Sequence, residues 1–291
     1  MAEQTAAQQT VAEQPSPRSL AVIGSPIEHS LSPALHAAAY HRLGLDWRYG
    51  RNEVTPDGLA AYLGGLDERW RGLSVTMPLK EALVPLLDEH HEDVMLTGAA
   101  NTVVLTDDGR RRGYNTDIAG VRTALGRAGV TAVRRAAVIG AGATARSIVV
   151  ALARLGAREI DVLVRDETRA VALLDLAELL GVDAAPRPLG DLARLVPAHE
   201  VVAWTLPNGV PPLGMVPEAV RRASTLLDVT YHPWPSALAQ QWQNVDGAVV
   251  SGRDMLLHQA VRQVRLFVSG SNAEPLPDEA GVESVMAAAL P

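Results

Sequence analysis

A glycine-rich turn between a strand and a helix constrains the fold of this chain more than any other feature. Residues 140–145 read Gly-Ala-Gly-Ala-Thr-Ala, directly after an apolar strand predicted at 136–139 and before a helix predicted at 144–155. In such a G-x-G-x-x-A turn the first glycine permits a tight bend, the second lets a pyrophosphate approach the backbone, and the small last residue allows close helix–strand packing. The pattern predicts a Rossmann-type unit whose helix N-terminus binds dinucleotide phosphates. The predicted cofactor contacts are Gly140, Ala141, Gly142, Ala143, Thr144 and Ala145.

The end of the next strand, predicted at 160–164, bears on which dinucleotide binds. Arg165 lies 20 positions beyond Ala145, and Arg169 follows one turn later. An arginine here would bind the 2′-phosphate of NADP, whereas an acidic residue would bind the ribose 2′-hydroxyl of NAD. Arg165 and Arg169 therefore favour NADP, while Asp166 leaves NAD open. Two solvent-exposed arginines without a ligand are the competing interpretation.

Strands and helices alternate along most of the chain, which predicts an α/β fold. A length of 291 residues favours two domains. We predict an N-terminal α/β substrate domain, a Rossmann-type dinucleotide-binding domain, and C-terminal helices that return to the substrate domain. The predicted boundaries are 1–17 for a disordered tail, 18–117 with 253–291 for the substrate-binding catalytic domain, and 118–252 for the NADP-binding domain.

Composition excludes several classes of site and partner. The chain has no cysteine, so it has no disulfide, thiolate nucleophile or cysteine-ligated metal, and a reducing cytoplasm is the expected compartment. The net charge of −7 is dispersed, which argues against a nucleic-acid partner. Apolar runs are far shorter than the roughly 20 residues of a membrane span. We expect no metal and no membrane association, a small-molecule substrate, and a monomer or homodimer.

Lys80 is the only lysine of the chain, beside 25 arginines. Arginine replaces lysine well as a solvated charge but cannot give up its proton, so a retained lysine points to proton chemistry. Lys80 also follows a strand predicted at 73–76, at the end where open α/β sheets bind ligands. A lysine and an aspartate such as Asp117, sharing a cleft, can position a substrate hydroxyl for proton transfer. Spacing alone does not bring the two together, and chance retention of Lys80 is the alternative.

Two serines stand where a helix is predicted to begin. Ser32 followed by Pro33 is a typical start, with the serine as the N-cap. Unpaired amides at a helix start favour an anion, so Ser30 and Ser32 could receive a carboxylate. Ordinary capping would explain Ser32 but not Ser30.

Five motifs in order resemble the shikimate dehydrogenase family, and the resemblance covers nearly all of the chain after the tail. They are G-x-P-I-x-H-S-x-S-P at 24–33, a variant of N-V-T-x-P-x-K at 74–80, G-A-x-N-T at 98–102, G-x-N-T-D at 113–117, and the nucleotide loop at 140–146. The resemblance implies reversible NADPH-dependent reduction of 3-dehydroshikimate to shikimate. That reaction belongs to the shikimate pathway, which leads to chorismate and the aromatic amino acids.

The same resemblance implies a role for each matching residue. Lys80 and Asp117 would be the catalytic pair, and Arg165 and Arg169 would clamp the 2′-phosphate of NADP. The implied substrate contacts are Ser30 and Ser32 to the carboxylate, Thr76, Asn101 and Gln259 to ring hydroxyls, and Tyr231 near the substrate.

The chain departs from the family pattern at three places. Ser74 stands where the family usually has asparagine, which puts one hydrogen bond to the substrate in doubt. Val164 and Asp166 replace an asparagine and a threonine around Arg165, so NAD stays an alternative to NADP. Thr144 replaces a smaller residue of the glycine loop at the start of the helix.

The sequence also admits other functions. Within the same fold the substrate could be quinate or an aminoshikimate. A bifunctional folate dehydrogenase also pairs a lysine domain with a nucleotide domain, but it would leave the serine pair and the Asn-Thr-Asp motif unexplained. A nucleotide-binding regulator that has lost catalysis is the alternative from a different class of protein. The presence of both Lys80 and Asp117 argues against it.

Overall fold

The computed structural model describes residues 18–207, 209–212 and 214–291. The tail predicted at 1–17 lies outside these residues. Two six-stranded sheets form the framework, so the predicted α/β fold with two sheets is confirmed. The bounds predicted for the domains stay a prediction.

The first sheet is mixed, with strand order β2-β1-β3-β5-β6-β4. Strand β1 pairs in parallel with β2 and β3, and β5 runs antiparallel to β3 and β6. Short β4, which the sequence did not predict, pairs in parallel with β6. Its strands are β1 (Arg18–Gly24), β2 (Trp47–Glu53), β3 (Trp70–Val75), β4 (Glu89–His90), β5 (Thr102–Leu105) and β6 (Arg111–Tyr114).

The second sheet is entirely parallel, with strand order β12-β11-β10-β7-β8-β9. The chain leaves β7 toward β8 and β9, then crosses to β10 on the other side of β7. This change of direction is the switch point where open α/β sheets bind ligands, at the carboxyl ends of the strands. Its strands are β7 (Arg135–Ile139), β8 (Glu159–Val164), β9 (Asp183–Pro188), β10 (Val201–Trp204), β11 (Thr225–Asp228) and β12 (Val249–Ser251).

Eleven α-helices pack on the sheets in the part of the chain that the structure describes. They are α1 (Ser32–Arg42), α2 (Pro56–Gly64), α3 (Leu79–Ala82), α4 (Glu92–Thr97), α5 (Asp117–Arg127), α6 (Ala143–Ala153), α7 (Val171–Leu179), α8 (Glu218–Ala223), α9 (Ala237–Gln243), α10 (Gly252–Ser269) and α11 (Glu279–Ala288).

The C-terminal helices return to the first sheet, as predicted. Helix α10 packs on β3 and β5, and α11 packs on α1. Phe267 of α10 is fully buried and lies so close to Gly72 of β3 that a Cβ at Gly72 would stand 2.5 Å from the phenylalanine ring. The chain's only phenylalanine thereby anchors α10 against the sheet, and α10 carries Gln259 toward the first sheet's carboxyl edge.

Helix α5 lies between the two sheets and packs on both α6 and α10. Its approach to α10 depends on Gly120, because a Cβ there would lie 2.8 Å from the Cβ of Gln259 and 3.0 Å from the Met255 carbonyl oxygen. We expect Gly120→Ala to lower the free energy of unfolding by about 1–3 kcal/mol through overpacking. Thermal unfolding measures this effect.

The matched control is Gly126→Ala on the same helix. Gly126 is exposed, and a Cβ there would meet no atom within 4 Å among the described residues. Since alanine favours a helix by about 1 kcal/mol over glycine, Gly126→Ala should leave the melting temperature unchanged or raise it. Equal melting temperatures for the two variants would show that the α5–α10 contact is not tight.

Candidate active site

Lys80 and Asp117, 37 positions apart in sequence, form an ion pair. Lys80 lies in α3, immediately after β3, and its Nζ donates to Asp117 Oδ2 at 2.6 Å. Asp117 is the first residue of α5, where unpaired amides stabilise a carboxylate. The side chains are 14% and 6% exposed, so the pair is shielded yet reachable from one side. The structure thus brings together the two residues that spacing alone could not join.

Asn101 and Gln259 lie on the other side of the Asp117 carboxylate. Asn101 Nδ2 donates to Asp117 Oδ1 at 2.8 Å and lies 3.2 Å from Gln259 Oε1. The Thr116 amide donates to Asn101 Oδ1 at 2.8 Å, which fixes which end of the Asn101 side chain faces the carboxylate. Lys80 and Asn101 therefore hold both oxygens of Asp117 in place.

A cavity of about 490 Å³ opens beside this pair, between the carboxyl ends of the two sheets. The residues predicted for substrate and catalysis all line it. They are Ser30, Ser32, Thr76, Lys80, Asn101, Asp117, Tyr231 and Gln259. Burial raises the pKa of the Tyr231 phenol, so this side chain stays a neutral hydrogen-bond donor. The wall toward the second sheet includes Thr144 of the glycine loop and Thr205 after β10.

The prediction that Ser32 caps helix α1 is wrong. The helix begins at Ser32 itself, Leu31 is the N-cap residue, and its side chain makes no capping hydrogen bond. Leu31 has no side-chain acceptor, but its carbonyl oxygen accepts from the Ala34 amide at 3.2 Å, and Pro33 has no amide hydrogen. The Ser32 amide lies 3.4 Å from Ser30 Oγ. Ser32 is therefore not committed to capping, and both serines face the cavity.

The glycine loop has the shape that a bound dinucleotide requires. Gly140 has a φ of +107°, and a Cβ there would lie 2.3 Å from Thr205 Oγ1, so only glycine fits. Gly142 is the N-cap of α6, and a Cβ there would meet nothing within 4 Å among the described residues. Among the described residues, no side chain makes a capping hydrogen bond at the N-terminus of α6. The open space in front of the first amides of α6 would accommodate a pyrophosphate.

The turn after β8 presents the residues predicted to choose the cofactor. Arg165 and Arg169 are both exposed, at the carboxyl end of the strand and one turn beyond it. The carboxylate of Asp166 instead accepts hydrogen bonds from the Thr168 amide at 3.0 Å and hydroxyl at 2.7 Å, and these bonds lower its pKa. The Asp166 side chain therefore caps its own turn, beside the two exposed arginines.

Comparison with known proteins agrees with this geometry. Residues 22–103 match the model of the shikimate dehydrogenase substrate binding domain. The NADP(+) shikimate dehydrogenase of Methanothermobacter thermautotrophicus is 35% identical over 257 residues, which cover 84% of this chain and 89% of that protein. The chain belongs to the shikimate dehydrogenase family.

Solved structures of shikimate dehydrogenases share the whole architecture. The Mycobacterium tuberculosis enzyme superposes with a TM-score of 0.79 at 38% identity, over 94% of this chain and 100% of the other. The Thermus thermophilus enzyme, crystallised with NADP(H) and shikimate, gives a TM-score of 0.77 at 30% identity, over 94% and 100% of the two chains.

The structure also places three polar residues around Ser74 that sequence reasoning missed: Gln263 lines the cavity, and Tyr49 and His36 lie behind it. Ser74, the departure from the family's usual asparagine, has a buried hydroxyl that joins Tyr49 of β2 to Gln263 of α10. His36 stacks on Tyr49 with 4.0 Å between ring centroids, and its Nε2 lies 3.3 Å from Gln263 Oε1. Burial lowers the pKa of His36 to about 3, so this imidazole is neutral. The available signal was Gln263, which lies four residues after Gln259 on the same face of α10.

The described residues contain neither a metal-ion cluster nor a membrane-spanning helix. No group of three or more histidine, aspartate or glutamate side chains there could hold a metal ion. No helix in that part of the chain is long and apolar enough to cross a membrane.

Proposed function

We propose that this member of the family catalyses the reversible, NADPH-dependent reduction of 3-dehydroshikimate to shikimate. The observation that carries the proposal is the Lys80–Asp117 pair, which faces a cavity whose opposite wall is the glycine loop of the second sheet. A polyhydroxylated ring in this cavity would lie between the proton-handling pair and the nicotinamide end of a dinucleotide. The names of the relatives, shikimate dehydrogenase (NADP(+)), support the same substrate and cofactor.

The reaction requires the protein to stabilise charge on the ketone oxygen of the substrate. NADPH, when bound, supplies the hydride to the ketone carbon. Lys80, as an ammonium, stabilises the negative charge that develops on the ketone oxygen and is placed to donate a proton to it. Asp117 pairs with the Lys80 ammonium and holds it beside the cavity. In the reverse direction the same pair receives the proton from the substrate hydroxyl.

Other residues of the cavity fix the orientation of the ring. We propose that Ser30 and Ser32 receive the substrate carboxylate at the amide end of α1, where a negative charge is favoured. Thr76, Asn101 and Gln259 would contact ring hydroxyls, and Tyr231 would approach from the second sheet. Arg165 and Arg169 would hold the 2′-phosphate of NADP.

An absorbance assay of NADPH formation tests the proposal. The purified protein is supplied with shikimate or quinate, each with NADP⁺ or NAD⁺. We expect the highest kcat/KM for shikimate with NADP⁺, because the arginines match the 2′-phosphate and the relatives are named shikimate dehydrogenase (NADP(+)). Cofactor binding without turnover of either acid would contradict the proposal and favour a regulator. Faster turnover of quinate would assign the substrate to the alternative within the same fold.

We also propose that the protein works in the cytoplasm, since a chain without cysteine needs no oxidising compartment. A monomer or a homodimer would suffice, because all the site residues named above come from one chain. Light scattering during size-exclusion chromatography measures this state.

A further inference from the structure

Ser74 lies at the centre of a chain of hydrogen bonds along the floor of the cavity. Tyr49 OH donates to Ser74 Oγ at 2.6 Å, and Ser74 Oγ lies 2.7 Å from Gln263 Oε1. Ser74 and Gln263 both line the cavity, whereas Tyr49 lies behind them. The direction of each bond decides what Ser74 can offer to a substrate.

Gln263 sets that direction. Its Nε2 lies 3.1 Å from the Asn101 carbonyl oxygen and 2.9 Å from Thr102 Oγ1. A carbonyl oxygen can only accept, so the amide nitrogen of Gln263 must face it and the amide oxygen must face Ser74. Neutral His36 fits this arrangement, because its Nε2–H donates to the same oxygen while its Nδ1 lies 3.1 Å from Tyr40 OH.

The protons of Ser74 and Tyr49 are then assigned by exclusion. Gln263 Oε1 accepts only, so the single hydroxyl proton of Ser74 points to it. Tyr49 must therefore donate to Ser74 and cannot accept from it. Burial raises the pKa of Tyr49, so the phenol keeps the proton that this bond requires. One lone pair of Ser74 Oγ is used by Tyr49, and the other is left for the cavity.

We propose that Ser74 meets the substrate as a hydrogen-bond acceptor and recognises a ring hydroxyl that is not oxidised, with Gln263 and Tyr49 as the residues that position it. The proposal rests on the proposed function, since it names a contact to that enzyme's substrate. An asparagine, the usual residue of the family here, could also donate. In this chain the hydroxyl proton of Ser74 is used in the bond to Gln263. A carboxylate or a ketone next to Ser74 would therefore face an acceptor and be disfavoured.

The contact has a consequence for how the substrate lies. A hydroxyl is the one group of the substrate that can donate to Ser74. The carboxylate is therefore excluded from Ser74 itself and is left to Ser30 and Ser32 at the start of α1. Ser74 selects one orientation of the ring in addition to contributing affinity.

The test crosses one substitution with substrate analogues that lack one hydroxyl each. Ser74→Ala should lower kcat/KM for shikimate about three- to tenfold, the effect of one neutral hydrogen bond. For the analogue that lacks the recognised hydroxyl, wild type and Ser74→Ala should be equal within error. For the analogue that lacks the other unoxidised hydroxyl, the loss on Ser74→Ala should persist in full.

A second variant tests the polarity. Gln263→Met keeps the length of the side chain but removes the acceptor, so Ser74 becomes free to donate. Wild type should reject an analogue with fluorine in place of the recognised hydroxyl, because fluorine cannot donate. In Gln263→Met this rejection should weaken severalfold relative to shikimate. A purely structural role for Gln263 would lower both values of kcat/KM by the same factor.

Controls separate this inference from the proposed function and from misfolding. Ser74→Ala leaves Gln263 Oε1 with its His36 donor, and melting temperatures check all variants. Ser224→Ala removes a comparably buried serine that donates to the Val220 carbonyl far from the cavity, and its kinetics should match wild type. If wild type fails to oxidise shikimate, the proposed function is wrong. If wild type is active and Ser74→Ala loses the same factor on every analogue, or loses none, the role of Ser74 alone is overturned.

Discussion

Lys80→Ala is expected to lower kcat about 10³-fold while KM for shikimate changes little. The ammonium contributes most when negative charge develops on the ketone oxygen, so its loss affects the transition state more than the ground state. Lys80→Arg is the sharper variant, because it keeps a positive charge beside Asp117 but cannot release a proton at ordinary pH. We expect Lys80→Arg to recover little of the lost rate. Steady-state kinetics in both directions provide the measurement.

Two controls show whether the loss is chemical. The dissociation constant of NADPH, measured by fluorescence titration, should be unchanged in Lys80→Ala because the lysine does not lie in the glycine loop. Asp117→Asn tests the pair from the other side, since a neutral amide no longer forms the ion pair with Lys80. Unchanged kcat in Lys80→Ala would refute the catalytic assignment of both residues.

Replacing Arg165 and Arg169 together by alanine is expected to lower kcat/KM for NADP⁺ about 10²-fold or more. Each arginine can make a charge-assisted hydrogen bond to the 2′-phosphate, and such bonds contribute about 1.5–3 kcal/mol each. Because NAD⁺ lacks that phosphate, its kcat/KM should stay the same. The ratio of the two values is therefore the quantity to compare between wild type and variant.

The control for this experiment is Arg194→Ala. Arg194 is also exposed and also belongs to the region of the second sheet, but it pairs with Asp191 at 3.0 Å and not with the turn after β8. Its removal should leave both cofactors unaffected. An equal loss for NADP⁺ and NAD⁺ in the double variant would mean that the arginines support the turn and do not read the phosphate.

The fold was predictable where a local pattern dictates it. The turn at 140–145 needs Gly140 at a positive φ, and this requirement is visible in the sequence itself. Strand β9 (Asp183–Pro188) was not predicted, because Pro186 and Pro188 are unfavourable in most strands. The structure places β9 at the edge of the second sheet, where the missing amide hydrogens of proline are tolerated. Whether these prolines permit a strand therefore depends on its position in the sheet, which the sequence does not specify.

The site was predictable only as far as motifs mark it. Lys80, Asn101 and Asp117 each lie in a family motif, and the structure joins them. The contacts of Ser74 could not be foreseen, because its partners Tyr49 and Gln263 are 25 and 189 positions away. Such pairings depend on how β2 and α10 pack against β3, and the spacing of residues along the sequence does not predict that packing. The replacement of the usual asparagine by Ser74 is visible in the sequence. The hydrogen bonds that Ser74 makes become visible only in the packed structure.

The uniqueness of Lys80 makes the active site accessible to selective chemical labelling. Nζ of Lys80 is the only side-chain amine of the chain, and no cysteine competes for electrophiles. Reductive methylation with isotopically labelled carbon would therefore attach the one side-chain NMR probe to the nitrogen that lies 2.6 Å from Asp117 Oδ2. A substrate that occupies the cavity should slow this modification and shift the signal. The enzyme would then report ligand binding from its own reaction centre, with no engineered label.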